Sequence, residues 1–320
     1  VSHLVVVTGG AGFIGSHVVE RFLAAGFGVR VLDDLSTGTT ENLAGLDVEF
    51  IEGSVVDYPV LQEAVSGCDF VVHLAAARAV GLSIEDPVGS DRVNTGGTVC
   101  CLQAARAAGV RKFVFGSSSS VYGGTAPLPA KEDGPVNPRS PYAVSKLAGE
   151  YYCKVFSEVF GLPTIALRLF NVFGPRQRPE SPYAAAIPLF IDALSRGQPP
   201  TVFGDGKQTR DFTFVGDVAE AIFLATTKET GAFDVLNIAA GGRHSLLELL
   251  ERLGEIFDVE VQPRFAPPRP GDVRDSQADT SKARRILGWS PATSFEEGLQ
   301  RTVEWFLSTR KEQGEATASN

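Results

Sequence analysis

Two kinds of apolar run alternate along the first half of the chain. Short, largely β-branched runs at Leu4 to Thr8, Val29 to Leu32, Glu49 to Ile51, Phe70 to Leu74 and Lys112 to Phe115 predict strands, several apolar enough to be buried on both faces. Between and after them, apolar residues at helical spacing predict helices from Phe13 through about Ala25 and over Val60 to Val65, Val88 to Ala108 and Tyr142 to Phe160. The alternation of strand and helix predicts an α/β fold, a doubly wound parallel sheet with a crevice at the strand C-termini. Beyond about Phe173 the pattern becomes mixed. Helices are expected near 187–196, 218–226, 246–256 and 296–307, and a strand over 209–214, with Pro- and Gly-rich loops around 197–206 and 262–272. The expected organisation is a cofactor-binding unit over 1–173 and a smaller mixed α/β substrate unit over 174–309, some of which returns to the sheet. Residues 310–320, polar and small, are expected to form a flexible tail.

Composition narrows the ligand. With 320 residues the chain can bury a sizeable core, and its net charge of −9 excludes nucleic acid or an anionic membrane as the main partner. An anionic ligand would have to be held by local cations and backbone N–H groups. Cys68, Cys100, Cys101 and Cys153 have neither a C-x-x-C pairing nor ligand spacing with the four histidines, so no metal site is expected. They read as small core residues of a reduced, cytoplasmic compartment. No apolar run reaches membrane-spanning length, and the N-terminus has no basic region of the kind that opens a signal peptide.

Candidate chemistry lies at the strand ends. The first strand runs into Gly9-Gly10-Ala11-Gly12-Phe13-Ile14-Gly15 and then a helix, the order a dinucleotide-binding turn requires. Such glycines let backbone approach a pyrophosphate, whose charge then sits at the helix N-terminus. The G-x-x-G-x-x-G spacing differs from the commoner G-x-G-x-x-G. Asp33, ending the second strand, can accept hydrogen bonds from ribose hydroxyls and repel a 2′-phosphate, which favours NAD over NADP. The fourth strand, ending at Leu74, runs into Ala75, Ala76 and Ala77, small enough for a flat ring or a ribose to approach. A serine cluster, Ser117 to Ser120, ends the fifth and offers hydroxyls to a substrate alcohol. Tyr142 and Lys146, four apart, share one helix face. A fixed ammonium favours the ionised phenol, so Tyr142 is expected to act as a general base near neutral pH.

Together, Thr8 to Gly15, Asp33, Ser117 to Gly123 and Tyr142 to Lys146 resemble the extended short-chain dehydrogenase/reductase family, and within it the nucleotide-sugar 4-epimerases of the UDP-glucose type. The resemblance continues through Arg168 to Arg176, Gly204 to Phe212, Asn237-Ile238, Arg269 to Val273 and Leu287-Gly288-Trp289, nearly the whole chain in order. It implies a Rossmann-like fold, bound NAD, a UDP-sugar substrate and a homodimer paired through the helices near 88–108 and 142–160. In this likeness Ser118 and Tyr142 flank the sugar C4 hydroxyl, and Lys146 binds the nicotinamide ribose while tuning Tyr142. Gly9, Gly12, Phe13, Ile14, Gly15, Asp33, Ser54, Val55, Leu74, Ala75, Ala76, Arg78, Asn94 and Ser117 complete the cofactor set. Ser120, Asn171, Arg178, Arg210, Arg269, Asp272 and Ser276 fall to the substrate. Two positions depart from the family: Ser54-Val55 replaces the usual Asp-Ile or Asp-Val at the adenine site, and Arg78 replaces a common Lys.

The serine cluster also sorts the chemistries. Nucleotide-sugar 4,6-dehydratases carry an Asp-Glu pair where this chain has Ser119 and Ser120, because removing water needs a further acid and base. Decarboxylating relatives carry a Glu at the second position. What remains is transient oxidation at C4 of a UDP-hexose and return of the hydride. Ser276, small where the family controls room beside the sugar C2 group, favours tolerance of N-acetylhexosamines. Arg178 resembles the carboxylate-binding residue of UDP-glucuronate 4-epimerases, although those usually have Thr at the Asn171 position. A catalytically silent NAD-binding sensor is the reading from a different class, and the intact Ser118, Tyr142 and Lys146 argue against it.

Overall fold

The computed structural model describes residues 3–77, 80–179, 185–268 and 273–318, with side chains as far as Arg310. Its centre is a parallel sheet of seven strands. These are β1 (Leu4–Thr8), β2 (Gly28–Asp33), β3 (Glu49–Glu52), β4 (Phe70–His73), β5 (Lys112–Ser118), β6 (Thr164–Leu169) and, after four short strands of the second lobe, β11 (Phe233–Ile238). Their order is β11-β6-β5-β4-β1-β2-β3. The chain winds outward from β1 through β2 to β3, then crosses back to β4 on the other side of β1. That reversal opens a crevice beyond the C-terminal ends of β1 and β4. A parallel strand buried on both faces must be apolar throughout, and Val5, Val6 and Val7 of β1 are fully buried.

Helices cover both faces. On one, α1 (Phe13–Ala24) packs against α8 (Val215–Thr227), with Val18, Phe22, Val218 and Ile222 joining β1 and β2 residues in one core. On the other lie α2 (Tyr58–Val65), α5 (Gly97–Ala108) and α6 (Pro141–Phe160), contributing Leu61, Leu102, Cys153 and Phe156. The expected helix over 88–108 is present as α4 (Pro87–Asp91) and α5, joined by a π-helical turn at Arg92–Gly96. Between β4 and α4, α3 (Val80–Glu85) is a short helix that the pattern did not indicate.

A third core belongs to the second lobe. It gathers α7 (Ala186–Ser195), α9 (Leu246–Phe257) and the start of α11 (Phe295–Ala318) around Phe173, Phe190, Phe212, Leu249 and Leu299. Phe212 and Phe295 stack with centroids 5.4 Å apart. The short strands of this lobe are β7 (Val172–Phe173), β8 (Thr201–Phe203), β9 (Thr209–Arg210) and β10 (Thr213–Phe214), with β12 (His244–Ser245) and β13 (Arg264–Ala266) after β11. The strand expected over 209–214 is therefore two. Its alternation breaks at Asp211, fully buried, whose carboxylate accepts hydrogen bonds from Gly241 N and Ala278 N instead of continuing a ladder. The final helix also differs from expectation, since its backbone continues to Ala318. Lys311, Glu312, Gln313 and Ala316 are good helix formers, and extending a helix already begun needs no new nucleus. Between α9 and α11 the chain forms α10 (Ser281–Leu287), which sets Trp289 under α8.

Candidate active site

The crevice is a cleft of about 850 Å³ running from the glycine turn after β1 to the second lobe. Gly9, Gly12, Phe13, Ile14 and Gly15 line one end. Two of these glycines are required by geometry. Gly9 has φ +72°, and a Cβ there would stand 2.8 Å from Ala75 N; a Cβ on Gly15 would stand 2.0 Å from Gly9 O. Without side chains, the turn folds tightly enough to aim the start of α1 into the cleft. Gly12 caps that helix with no side-chain acceptor, so first-turn N–H groups stay available to an anion.

Asp33 sits beside this turn. Its Oδ2 accepts from Ala11 N at 2.9 Å and its Oδ1 from Leu35 N at 2.9 Å, which orients the carboxylate along the cleft edge. Val55, Leu74, Ala75 and Ala76 line the same wall. Ser54 does not line it; its carbonyl accepts from Asp57 N ahead of α2. Asn94 lies behind the wall in the π-helical turn. Its Oδ1 accepts from Ala77 N at 2.7 Å, and its Nδ2 donates to Ala77 O and to Ser145 Oγ. Its carboxamide thus braces the strand-end segment against α6. Arg78 lies outside the described residues.

Ser140 begins α6 by accepting from Ala143 N, with Pro141 in the first turn. This start places Tyr142 in the cleft lining and Lys146 one turn deeper. Lys146 is buried. Its Nζ donates to Gly116 O at 2.8 Å and stands 5.8 Å from the centre of the Tyr142 ring. Burial lowers its pKa to about 8, so its ammonium is easily neutralised for a lysine. Opposite, Ser118 ends β5 and caps the short 3₁₀ turn Ser119–Tyr122 by accepting from Ser120 N. Ser118, Ser119 and Ser120 all line the cleft, and Ser120 Oγ is buried without a protein partner. Ser117 also borders it, but its hydroxyl turns away to Glu150 Oε1.

The second lobe supplies the far wall. Asn171, in the left-handed region at φ +34°, donates from Nδ2 to Ser276 Oγ at 2.9 Å and to Asp211 O at 3.2 Å. Asn171, Arg210 and Ser276 line the cleft. Arg178 does not; its guanidinium pairs with Glu41 at 2.7 Å. Arg269 and Asp272 lie outside the described residues.

Pattern alone did not reveal His73. Fully enclosed, it bridges Thr8 Oγ1 at 2.7 Å and Thr98 Oγ1 at 3.0 Å, and burial holds it neutral with a pKa of about 3. Thr98 in turn donates to Asn94 O. A hydrogen-bonded chain therefore ties the glycine turn to the wall behind α6. In sequence His73 was only the polar residue of an apolar strand. Among the described residues, no group of three His, Cys, Asp or Glu side chains is placed to hold a metal ion.

A glycine turn opening a helix, an acidic residue ending the second strand, and a Tyr/Lys pair lining the same cleft as a serine mark a dinucleotide-binding enzyme. The profile of the NAD dependent epimerase/dehydratase family matches residues 5–239, and the chain belongs to that family. It is 42% identical over 307 residues to UDP-glucose 4-epimerase of Mycolicibacterium smegmatis, covering 94% of this chain and 97% of that one. The crystal structure of UDP-glucose 4-epimerase from Thermotoga maritima with UDP-glucose superposes with TM-score 0.92 at 38% identity, over 96% of this chain and 99% of that chain. UDP-N-acetylglucosamine 4-epimerase from Methanobrevibacter ruminantium, in complex with UDP-N-acetylmuramic acid, also gives TM-score 0.92 at 38% identity, with 96% and 99% covered.

Proposed function

We propose that the chain is a UDP-hexose 4-epimerase that interconverts UDP-glucose and UDP-galactose and also accepts N-acetylhexosamines, with NAD as its resident cofactor. The observation that carries this reading is the convergence of Ser118, Tyr142 and Lys146 on one cleft that begins at the glycine turn and ends at Asn171, Arg210 and Ser276. NAD fits the first half of that cleft. The side-chain-free cradle at Gly9 and Gly15 admits a pyrophosphate, Asp33 can accept from the adenosine ribose, and Leu74 to Ala76 leave room for the remaining ribose and ring. Held there, NAD would supply a hydride acceptor at the sugar C4 that later serves as the donor, so no net redox would result.

The protein's part is proton transfer and positioning. Tyr142 removes the C4 hydroxyl proton and later returns it, and Ser118 holds the C4 oxygen by a hydrogen bond. Lys146 supplies the positive field that favours the phenolate and binds the nicotinamide ribose. Between the two transfers the sugar must turn its other face to the cofactor. Arg210 and Arg269 suit the diphosphate, and Asp272 the uridine ribose. Asn171 and Ser276 border the sugar, and the small Ser276 leaves room at C2. Ser119 and Ser120 supply none of the carboxylates that elimination or decarboxylation would need. The pairing of Arg178 with Glu41, outside the cleft lining, favours a neutral hexose over a uronate.

We assign residues 1–173 with β11 to cofactor binding and most of 174–309 to the substrate. A homodimer through the helices near 88–108 (α4 and α5) and α6 accords with the apolar stripe Tyr151, Val155 and Val159, of which Val159 is 67% exposed. No described helix is long and apolar enough to cross a membrane, and a cytoplasmic location accords with the four free cysteines. Incubation of the purified protein with UDP-glucose, followed by chromatography for UDP-galactose, tests the function. Absence of UDP-galactose with NAD bound would instead favour the silent sensor.

A further inference from the structure

Two of the buried charges that the reaction does not use meet behind Ser117, which borders the cleft. Glu150 lies one turn past Lys146 on α6, and Arg168 lies in β6; each is 4% exposed, and neither lines the cleft. They meet as a two-pronged pair, Arg168 Nε to Glu150 Oε1 at 2.9 Å and Nη2 to Oε2 at 2.7 Å. Ser117 Oγ donates to the same Oε1 at 2.5 Å. The remaining prong of Arg168, Nη1, donates to Tyr122 Oη at 2.8 Å, and that hydroxyl donates to Asn237 Oδ1 at 2.7 Å.

Such a pair has no clear advantage in stability, because two apolar side chains of the same volume would do as well or better in that place. What apolar side chains lack is direction. A planar guanidinium on a carboxylate fixes distance and angle together, and a rotated or shifted partner breaks both bonds. The segments joined here carry the chemistry. Ser117 precedes Ser118 on β5, Glu150 shares α6 with Tyr142 and Lys146, and Arg168 stands three residues before Asn171. Arg168 and Ser117 are also aligned across the β5–β6 pairing. Through Asn237 the same network reaches β11 at the edge of the sheet.

We propose that Glu150 and Arg168 are positioning residues, a bidentate lock that holds Ser118, Tyr142 and Asn171 at the mutual distances needed for proton transfer. The inference rests on the epimerase reading of those three residues. A displacement of about 1 Å at a reacting group can lower a rate by about 10²-fold.

Two variants separate positioning from folding. Arg168→Lys keeps the charge but loses the fork. Its kcat for UDP-glucose, per mole of NAD-loaded protein, should fall about 10²-fold with KM unchanged. The double variant Glu150→Met with Arg168→Met removes both charges; its thermal midpoint should match or exceed that of the wild type, while its kcat stays low. The inference is overturned if Arg168→Lys turns over at the wild-type rate, if its only defect is lower yield or NAD content, or if the double variant regains turnover along with stability. A wild-type protein that leaves UDP-glucose unchanged refutes the epimerase reading and this inference with it. An active wild type with unaffected variants refutes this inference alone.

Discussion

Replacing Lys146 by methionine should make the protein more stable at neutral pH while removing its turnover. Lys146 is buried at the base of the cleft, and burial lowers its pKa from the ordinary 10.5 to about 8. A difference of roughly 2.5 units at 1.36 kcal/mol each means that keeping this ammonium charged in the folded state costs about 3 kcal/mol below pH 8. Methionine fills similar space without the charge. It forfeits the hydrogen bond to Gly116 O, worth about 1 kcal/mol, which leaves a net gain of about 2 kcal/mol. For a chain of this length that is roughly a 4 °C rise in melting temperature. The sign with pH is distinctive. Between about pH 8 and 10.5 the unfolded chain binds more protons at this position than the folded one, so the wild type gains stability as pH rises. The advantage of the variant should therefore be complete below pH 8, shrink and cancel within that window, and above it turn into a deficit of about 1 kcal/mol, the lost hydrogen bond alone. Calorimetry at several pH values between 7 and 10, on protein stripped of nucleotide so that ligand binding adds nothing, measures it directly. A variant less stable than the wild type at pH 7, or an advantage indifferent to pH, would refute the reasoning. Full retention of UDP-glucose turnover would remove Lys146 from the chemistry.

Three further outcomes follow from the site. Tyr142→Phe should retain NAD, since the phenol is not part of the pyrophosphate cradle, yet lose about 10²- to 10⁴-fold in kcat; an undiminished rate by coupled assay would exclude Tyr142 as the base. UDP-N-acetylglucosamine should be epimerised, and Ser276→Tyr should suppress that activity more than turnover of UDP-glucose, because Ser276 lines the cleft beside Asn171; equal loss on both substrates would argue against a role at C2. Val155→Asp should convert a dimer to a monomer by placing a charge in the middle of the exposed α6 stripe, and sedimentation that gives the same mass for both proteins would locate the contact elsewhere.

The parts of the fold and site that were legible in the sequence are those encoded over a few consecutive residues. The run Leu4 to Thr8 with the glycine turn after it announced strand, cradle and helix. The apolar helical pattern from Tyr142 to Phe160 announced α6 and so the shared face of Tyr142 and Lys146. Other features depend on residues far apart in the chain. The strands β6 and β11 pair with each other, yet nearly seventy positions separate them, and the pairing depends on the wound sheet bringing them together. Asp211 could be placed in a strand by alternation alone, whereas Gly241 and Ala278 draw its carboxylate inward.

The sequence by itself determined the first five strands of the central sheet and the helices α1, α2, α5 and α6, a glycine turn opening α1, and that a phenol and an ammonium would lie one helical turn apart. Periodicity and turn chemistry are local properties of the chain, and they persist whatever surrounds them. Only the tertiary structure decided that Ser117 would turn to Glu150 while Ser118 faced the cleft, that Arg168 would lock β6 to α6, that Asn94 would brace a wall, and that Arg178 would pair with Glu41. A buried polar side chain must find a partner, and the packing of distant segments determines which partner is within reach.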